Sequence, residues 1–282
     1  MTTIPGLDAP AEQAVASVAE QLSGQVPLGV AYSGGVDSAT LLALAVRELG
    51  TENVVAILGI SPSLATDERA AAHATASAIG ARVVEVETHE ADSAQYRANG
   101  PDRCFHCKDE LFTRISAELV SELGLTAVAY GENADDAKRP DRPGAQAATN
   151  HRVLRPLAQA QMTKAMVRQV ARALALPVAD KPAAPCLASR IPHYEEVTPE
   201  KLRQVDQAEA GLRRLGFTDS RVRHHGDVAR LELLPQEMLS AVQQREEVDR
   251  VVRDAGFRFA AMDLRGIQSG AFTLPLVSVT HA

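Results

Sequence analysis

The sequence predicts an α/β protein: a parallel sheet with helices on both faces, followed by a smaller C-terminal α+β unit. Short β-like apolar runs alternate with helix-length amphipathic segments through the first half. A proline-dense stretch then interrupts the pattern, and beyond it the order becomes helix, two strands, helix, strand. The composition is that of a folded globular chain: 282 residues, 45% hydrophobic and 23% charged, which excludes disorder, collagen-like repeats and coiled coil.

Pro27–Tyr32, Asn53–Ile60, Arg82–Glu87 and Thr126–Gly131 read as strands, and Ala39–Leu49, Asp67–Ile79 and Phe105–Leu123 between them carry apolar residues at helical spacing. Strands joined by helices of that length form βαβ crossovers, and such sheets bind ligands at the carboxyl ends of their strands. Helical spacing resumes at Thr163–Leu176. Pro177, Pro182, Pro185, Pro192 and Pro199 then fall within 23 residues, which reads as a linker lying over a site. After it come a helix Thr198–Leu215, strands Asp219–His225 and Asp227–Leu234 around Gly226, a helix Pro235–Ala255 and a strand Phe257–Leu264. Two domains are expected, residues 1–180 and 181–282.

Charge narrows the function classes. With 36 acidic against 29 basic residues the chain carries a formal charge of −7, the wrong sign for holding a long polyanion by charge alone, so no nucleic-acid partner is expected. No apolar stretch reaches the roughly 18 residues of a membrane span, and MTTIPGLDAPAEQ has neither a basic nor an apolar leader region, so a cytoplasmic protein without a membrane partner is expected. Three cysteines are too few and too odd in number for a disulfide framework.

Ser33-Gly34-Gly35-Val36-Asp37-Ser38 follows an apolar run and opens a helix, where backbone N–H groups and the helix dipole favour an anion. The glycines permit positive φ and close approach, Ser33 and Ser38 add hydroxyls, and Asp37 can cap the helix or hold Mg²⁺. A bare glycine pair would be an ordinary strand-to-helix turn, but the whole SGGVDS string is more particular. The chain has no G-x-x-x-x-G-K-[ST], so the lysine of P-loop enzymes is missing from it. The string resembles the PP-loop of N-type ATP pyrophosphatases. That resemblance implies ATP and Mg²⁺ as cofactors, attack of a substrate oxygen on the α-phosphorus, and release of AMP and pyrophosphate. It makes residues 1–180 the adenylation domain, with Ser33, Gly34, Gly35, Val36, Asp37, Ser38 and Gly131 at ATP.

Gly131-Glu132-Asn133-Ala134-Asp135-Asp136, Arg139-Pro140-Asp141-Arg142-Pro143-Gly144, Arg155-Pro156-Leu157, Thr66-Asp67-Glu68 and the run from Asp180 to Pro192, with Pro185-Cys186-Leu187-Ala188-Ser189-Arg190 as its most specific part, resemble LarE-type ATP-dependent sulfur transferases. The family resemblance implies adenylation of a carboxylate of a pyridinium-biscarboxylic acid mononucleotide and its conversion to a thiocarboxylate, in building the nickel-pincer nucleotide cofactor. The residue matching Cys186 handles sulfur. It is sacrificed in some members; in others three cysteines hold a [4Fe-4S] cluster that carries the sulfide. A separate sulfur donor and a homo-oligomer, trimer or hexamer, follow by the same analogy.

Cys104-Phe105-His106-Cys107 is a C-x-x-C pair able to present two thiolates to one metal, and Cys186 would be a third ligand. A redox dithiol, half a zinc site and inert thiols share the spacing. Arg221 and Arg223 alternate on a β-like run and so share a face. Surface charges paired with Asp219, Asp227 and Glu232 are the plainer reading of these arginines; the family likeness makes them holders of the substrate phosphate, a clamp that Arg190, close in sequence to the catalytic Cys186, is placed to join, and Glu209, otherwise a solvated helix residue, matches a family acidic residue near the transfer site. His224-His225, adjacent on a strand, point to opposite faces and do not share an ion. Asp263-Leu264-Arg265-Gly266-Ile267-Gln268-Ser269-Gly270 departs from the family ending, with Ile267 and Gln268 where an aromatic residue and an arginine are usual, so one phosphate contact is either missing or supplied by Arg265, and the exact substrate is left open. A tRNA thiolase and a nucleotide-binding redox sensor are the competing functions.

Overall fold

The computed structural model describes residues 4–138 and 144–268. The chain divides into two compact units: residues 1–61, 68–90 and 104–184 in the first, and residues 62–67, 91–103 and 185–282 in the second.

The first unit is built on four parallel strands, β1 (Leu28–Ala31), β2 (Val54–Ile60), β3 (Arg82–Glu87) and β4 (Ala127–Tyr130), in the order β3-β2-β1-β4. β1 is buried along its whole length. A parallel strand covered on both faces reads as a continuous apolar run rather than an alternating one. One face holds Ile57, Val86, Phe112, Ile115, Leu119 and Tyr130. Helix Val36–Leu49, with Leu41, Leu42 and Ala45 buried, packs against β1 and β2. Strand order steps outward from β1 through β2 to β3 and then jumps to the other side of β1, so the topological switch point lies between β1 and β4. In such sheets ligands bind outside the carboxyl ends of the strands at that point.

The strands and the principal helices lie where periodicity predicts them. Helix Ala9–Leu22 went unpredicted because half of its buried residues are alanine, a weak apolar signal; Asp8 caps it by accepting from the Ala11 N–H at 2.9 Å. The helix expected over 105–123 is Arg103–Arg114, continued by a π-turn at Ile115–Leu119 and a last turn at Val120–Glu122. No helix among the described residues is long and apolar enough to cross a membrane.

The second unit carries β5 (Ser220–His225), β6 (Val228–Leu233) and β7 (Phe259–Met262), with β5 and β6 antiparallel and β6 and β7 parallel. Gly226, at φ +61, supplies the left-handed residue of the two-residue β5–β6 turn. Helix Pro199–Arg214, capped by Thr198, buries Leu202, Val205, Ala208 and Leu212. The helix expected over 235–255 is broken into a 3-10 turn Pro235–Glu237 and helices Met238–Gln243 and Arg245–Asp254. Gln244, at φ −98 and ψ 26, leaves the helical region and starts a new axis, a change that no proline or glycine announces.

Candidate active site

The glycine loop sits at the switch point. Gly34 has φ +73, and a Cβ there would lie 2.8 Å from that of Ala72, so both backbone conformation and space require glycine. Gly35 is the N-cap of helix Val36–Leu49 and provides no side-chain cap bond, which leaves first-turn N–H groups to a ligand. The two serines brace the turn: the Ser33 N–H donates to Ser38 Oγ at 3.2 Å, and Ser38 Oγ donates to the Gly35 carbonyl at 3.1 Å. Just before the loop, burial pushes the Tyr32 phenol up to about 12 against a smaller lowering by the Thr75 hydroxyl, and its O–H donates to the Ala72 carbonyl.

The loop after β4 meets the loop after β1. A Cβ on Gly131 would fall 2.7 Å from the Ser38 nitrogen and 2.8 Å from the Asp37 carbonyl carbon, so only glycine lets the two turns touch. Asn133 ties them. Its amide donates to Asp37 Oδ1 at 3.1 Å and to Asp136 Oδ2 at 2.9 Å, while its Oδ1 accepts from the N–H groups of Asp135 and Asp136. Sequence reading passed over Lys164, whose Nζ lies 2.5 Å from Asp37 Oδ2, because 127 residues separate the pair and no local pattern connects them.

Glu132 and Tyr130 are buried beside this junction, with Arg155 Nη1 3.6 Å from Glu132 Oε2. Burial, reinforced by the neighbouring Glu132 carboxylate, raises the Tyr130 phenol far above its ordinary value. Lys108 Nζ lies 4.5 Å from the Tyr130 ring centre, a cation–π contact that brings the C-x-x-C helix of this unit to the carboxyl end of β4.

Cys104 is exposed and Cys107 partly buried, three residues apart and so on one face of helix Arg103–Arg114. In the second unit Cys186 is exposed and is the N-cap of the 3-10 turn Leu187–Arg190. Thiols are the donors an iron–sulfur cluster takes, and the Asp37 and Asp136 carboxylates are hard donors of the kind Mg²⁺ takes. Among the described residues no group of three or more His, Cys, Asp or Glu side chains is gathered to hold a metal ion.

The second unit buries four of the expected site residues, Arg190, Glu209, Arg221 and Arg223. Arg190 Nε and Nη2 donate to the two oxygens of Glu209 at 2.9 and 3.2 Å, both side chains 4% exposed. Glu209 Oε1 also accepts from the Val222 N–H at 2.9 Å. The remaining arm of Arg190, Nη1, donates to the Pro185 carbonyl at 2.6 Å and to Ser189 Oγ at 2.9 Å, so the pair fixes the loop that presents Cys186. Arg221 bonds Asp219, and Arg223 bonds Glu232 at 2.8 Å and the carbonyls of Ser189 and Gln268 at 3.0 Å. The pairings with Asp219 and Glu232 anticipated as surface charge are present, but both arginines are buried. Asp227 instead pairs with Arg258. Arg265 is exposed, its N–H donating to Asp263. Of the strings singled out in the sequence, Arg139-Pro140-Asp141-Arg142-Pro143 and Ser269-Gly270 lie outside the described residues.

A glycine loop at the switch point of a parallel sheet, braced by serines and meeting the turn after β4, defines a PP-loop α/β protein. Comparison agrees: residues 11–231 match the family model described as asparagine synthase. The chain is 44% identical over 243 residues to an uncharacterized protein of Synechocystis sp., covering 86% of this chain and 90% of that one. It is 32% identical over 241 residues to the pyridinium-3,5-bisthiocarboxylic acid mononucleotide synthase of Lactiplantibacillus plantarum, covering 86% and 87%. An uncharacterized protein of Methanocaldococcus jannaschii is 25% identical over 235 residues, 83% and 88% of the two chains. The chain belongs to the LarE-type family of PP-loop ATP-using sulfurtransferases.

Proposed function

We propose that this protein adenylates a carboxylate of pyridinium-3,5-biscarboxylic acid mononucleotide with ATP and exchanges one carboxylate oxygen for sulfur. The observation that carries the reading is the glycine loop at the switch point, with uncapped first-turn N–H groups and Asp37 beside it, in a chain related to a bisthiocarboxylic acid mononucleotide synthase. The loop backbone from Ser33 to Ser38 takes the pyrophosphate portion of ATP, and Asp37 serves its Mg²⁺. A carboxylate oxygen attacks the α-phosphorus, the bond to the bridging oxygen breaks, and pyrophosphate leaves. The carboxyl carbon is then joined to AMP, a good leaving group, and sulfur displaces it.

Cys186 is the residue from which sulfur reaches the adenylate. Its exposure and its place on a loop clamped by Arg190 and Glu209 support this. A [4Fe-4S] cluster on Cys104, Cys107 and Cys186, as the family likeness implies, would supply a transferable sulfide when bound; in its absence the Cys186 thiolate displaces AMP to form a thioester, and loss of the Cys186 α-proton then breaks its Cβ–Sγ bond, leaving the thiocarboxylate on the substrate and dehydroalanine in the chain. Arg221 and Arg223 take the substrate phosphate, sharing it with the carboxylates they already bond. The acceptor is a mononucleotide rather than tRNA, in keeping with the −7 charge, and the protein is a cytoplasmic homo-oligomer served by a separate sulfur donor.

The test is mass spectrometry of a single anaerobic turnover. The product should have one oxygen replaced by sulfur, with AMP and pyrophosphate in equal amounts, and should not form with Cys186→Ala. Unaltered mononucleotide with ATP consumed to ADP would overturn the reading. In the protein, an intact Cys186 marks the cluster route, and loss of one sulfur from it marks the sacrificial route.

A further inference from the structure

We propose that Arg103 is a positioning residue for Cys186: together with Asn99 it holds the turn that presents the thiol, so that sulfur transfer depends on it and adenylation does not. The inference rests on the sulfur-transfer reading above and adds residues which that reading does not use.

The Arg190–Glu209 pair grips the Cys186 loop at Pro185 and Ser189. Leu187, Ala188 and Ile191 to Tyr194 are held by other parts of the second unit, residues 62–67 and 91–103. The Leu187 N–H donates to the Ser63 carbonyl at 3.0 Å. Arg103 Nη1 donates to the Ala188 carbonyl at 3.0 Å and to Asn99 Oδ1. Asn99 in turn donates through Nδ2 to the carbonyls of Ile191 and Pro192 at 3.3 and 2.7 Å, and its own carbonyl accepts from the Tyr194 N–H at 3.2 Å. One arginine and one asparagine thus bind the chain from Ala188 to Tyr194.

Neither residue is an ordinary surface choice. Arg103 is 8% exposed and Asn99 is fully buried. A guanidinium leaves water only where hydrogen bonds replace those it had, and those of Arg103 reach the turn and the asparagine beside it. Asn99 adopts φ +55, a left-handed conformation that costs any residue but glycine, and such outliers persist where the surroundings over-determine them. The turn itself is a short 3-10 spiral: the Ser189 N–H donates to the Cys186 carbonyl at 3.0 Å and the Ile191 N–H to the Ala188 carbonyl at 3.2 Å. Releasing Ala188 therefore displaces Cys186, two residues away. A reacting group misplaced by about 1 Å loses about 10²-fold in rate. Adenylation belongs to the glycine loop of the first unit and uses none of these bonds.

Anaerobic single-turnover kinetics of the full chain with ATP, Mg²⁺ and pyridinium-3,5-biscarboxylic acid mononucleotide, read beside pyrophosphate exchange into ATP, test this for wild type, Arg103→Met and Arg103→Lys. In Arg103→Met thiocarboxylate formation should slow about 10²-fold, while the exchange rate and the mononucleotide concentration at half-maximal exchange stay at the wild-type values. Arg103→Lys keeps one donor for the Ala188 carbonyl and should recover part of the loss. Amide hydrogen exchange adds a readout that needs no activity: Leu187, Ser189 and Ile191 should lose protection in Arg103→Met while β5 and β6 keep theirs. Thiocarboxylate formation at the wild-type rate in Arg103→Met, unchanged protection of the turn, or an equal fall in both chemical steps overturns this inference alone. A wild-type protein that supports no exchange overturns the adenylation reading and this inference with it. Should Arg103→Met melt below the assay temperature, Arg103→Lys and Arg103→Gln carry the comparison, and the same split between the two steps is required of Arg103→Gln.

Discussion

The two units handle their charges in opposite ways. At the glycine loop of the first, the Asp37–Lys164 pair is partly exposed, and the first-turn N–H groups of helix Val36–Leu49 have no side-chain cap. In the second, Arg190–Glu209 and Arg223–Glu232 are buried pairs whose geometry is set by several further bonds to carbonyls and a backbone N–H. A pair that water can reach is cheap to open, whereas one partner of a buried pair cannot be removed without leaving the other uncompensated. The first arrangement suits a ligand that comes and goes. The second suits a loop that must stay where it is, and the loop held by Arg190 is the one that carries Cys186.

Breaking the buried framework should have the largest effect. Glu209→Ala leaves Arg190 unpaired and the Val222 N–H without its acceptor, for an expected loss of about 3–5 kcal/mol in urea unfolding. A double change, Arg190→Met with Glu209→Leu, should recover a large part of that loss. If Glu209→Ala unfolds at the wild-type midpoint, the pair is not the strut described here.

Next come two glycines of the first unit's turns, Gly34 after β1 and Gly131 after β4. Gly34→Ala forces a non-glycine residue to φ +73 against Ala72, and Gly131→Ala pushes the β4 turn off Ser38, each costing about 1–3 kcal/mol and most of the nucleotide affinity. Thermal melts with and without α,β-methylene-ATP separate the two effects. A variant that melts lower yet keeps a full ligand-induced shift would show that the turn is merely structural.

These two predictions also mark what the sequence could reveal. The loop from Ser33 to Ser38 was legible because backbone chemistry imposes a local pattern, glycines and hydroxyls at a strand-to-helix turn. Fold class was legible for the same reason: apolar runs of strand length alternating with helical spacing. Lys164 was not, since its partner is distant in sequence and proximity is created by the sheet. Nor was the burial of Arg221 and Arg223. Their alternation and their acidic neighbours are visible in the sequence, yet whether a charged strand faces water depends on what packs over it. The break at Gln244 escaped for want of a proline or glycine, and helix Ala9–Leu22 because alanine gives a faint stripe.

Protonation offers a gentler way to sharpen the comparison. Burial holds His224 and His225 below the ordinary histidine range, with the charges of Lys201 and Arg230 as the next causes. Both are therefore neutral in the fold at pH 7, while an unfolded chain takes up protons near pH 6.5. Their contribution to stability is complete above that value and is lost as pH falls through the lower folded values. Melting temperatures should decline from about pH 7 toward 5, less steeply in His224→Gln. A rise over that range would contradict the assignment.

The smallest effect belongs to the exposed cluster at the sheet edge. Hydrogen bonds from Arg69 and His73 bring Glu85 down to about 2, so its contribution, present above the unfolded value, is lost only as pH falls toward 2. Such partly exposed pairs contribute about 0–1 kcal/mol, and Glu85→Gln should unfold within that margin of wild type.

Exchange of labelled pyrophosphate into ATP tests the central claim most directly, because it reports reversible adenylation before any sulfur moves and so does not depend on the state of Cys104, Cys107 or Cys186. The wild-type protein should catalyse the exchange when pyridinium-3,5-biscarboxylic acid mononucleotide is present and should do so equally well as Cys186→Ala. No exchange with the mononucleotide, or exchange at the same rate without it, would contradict the account.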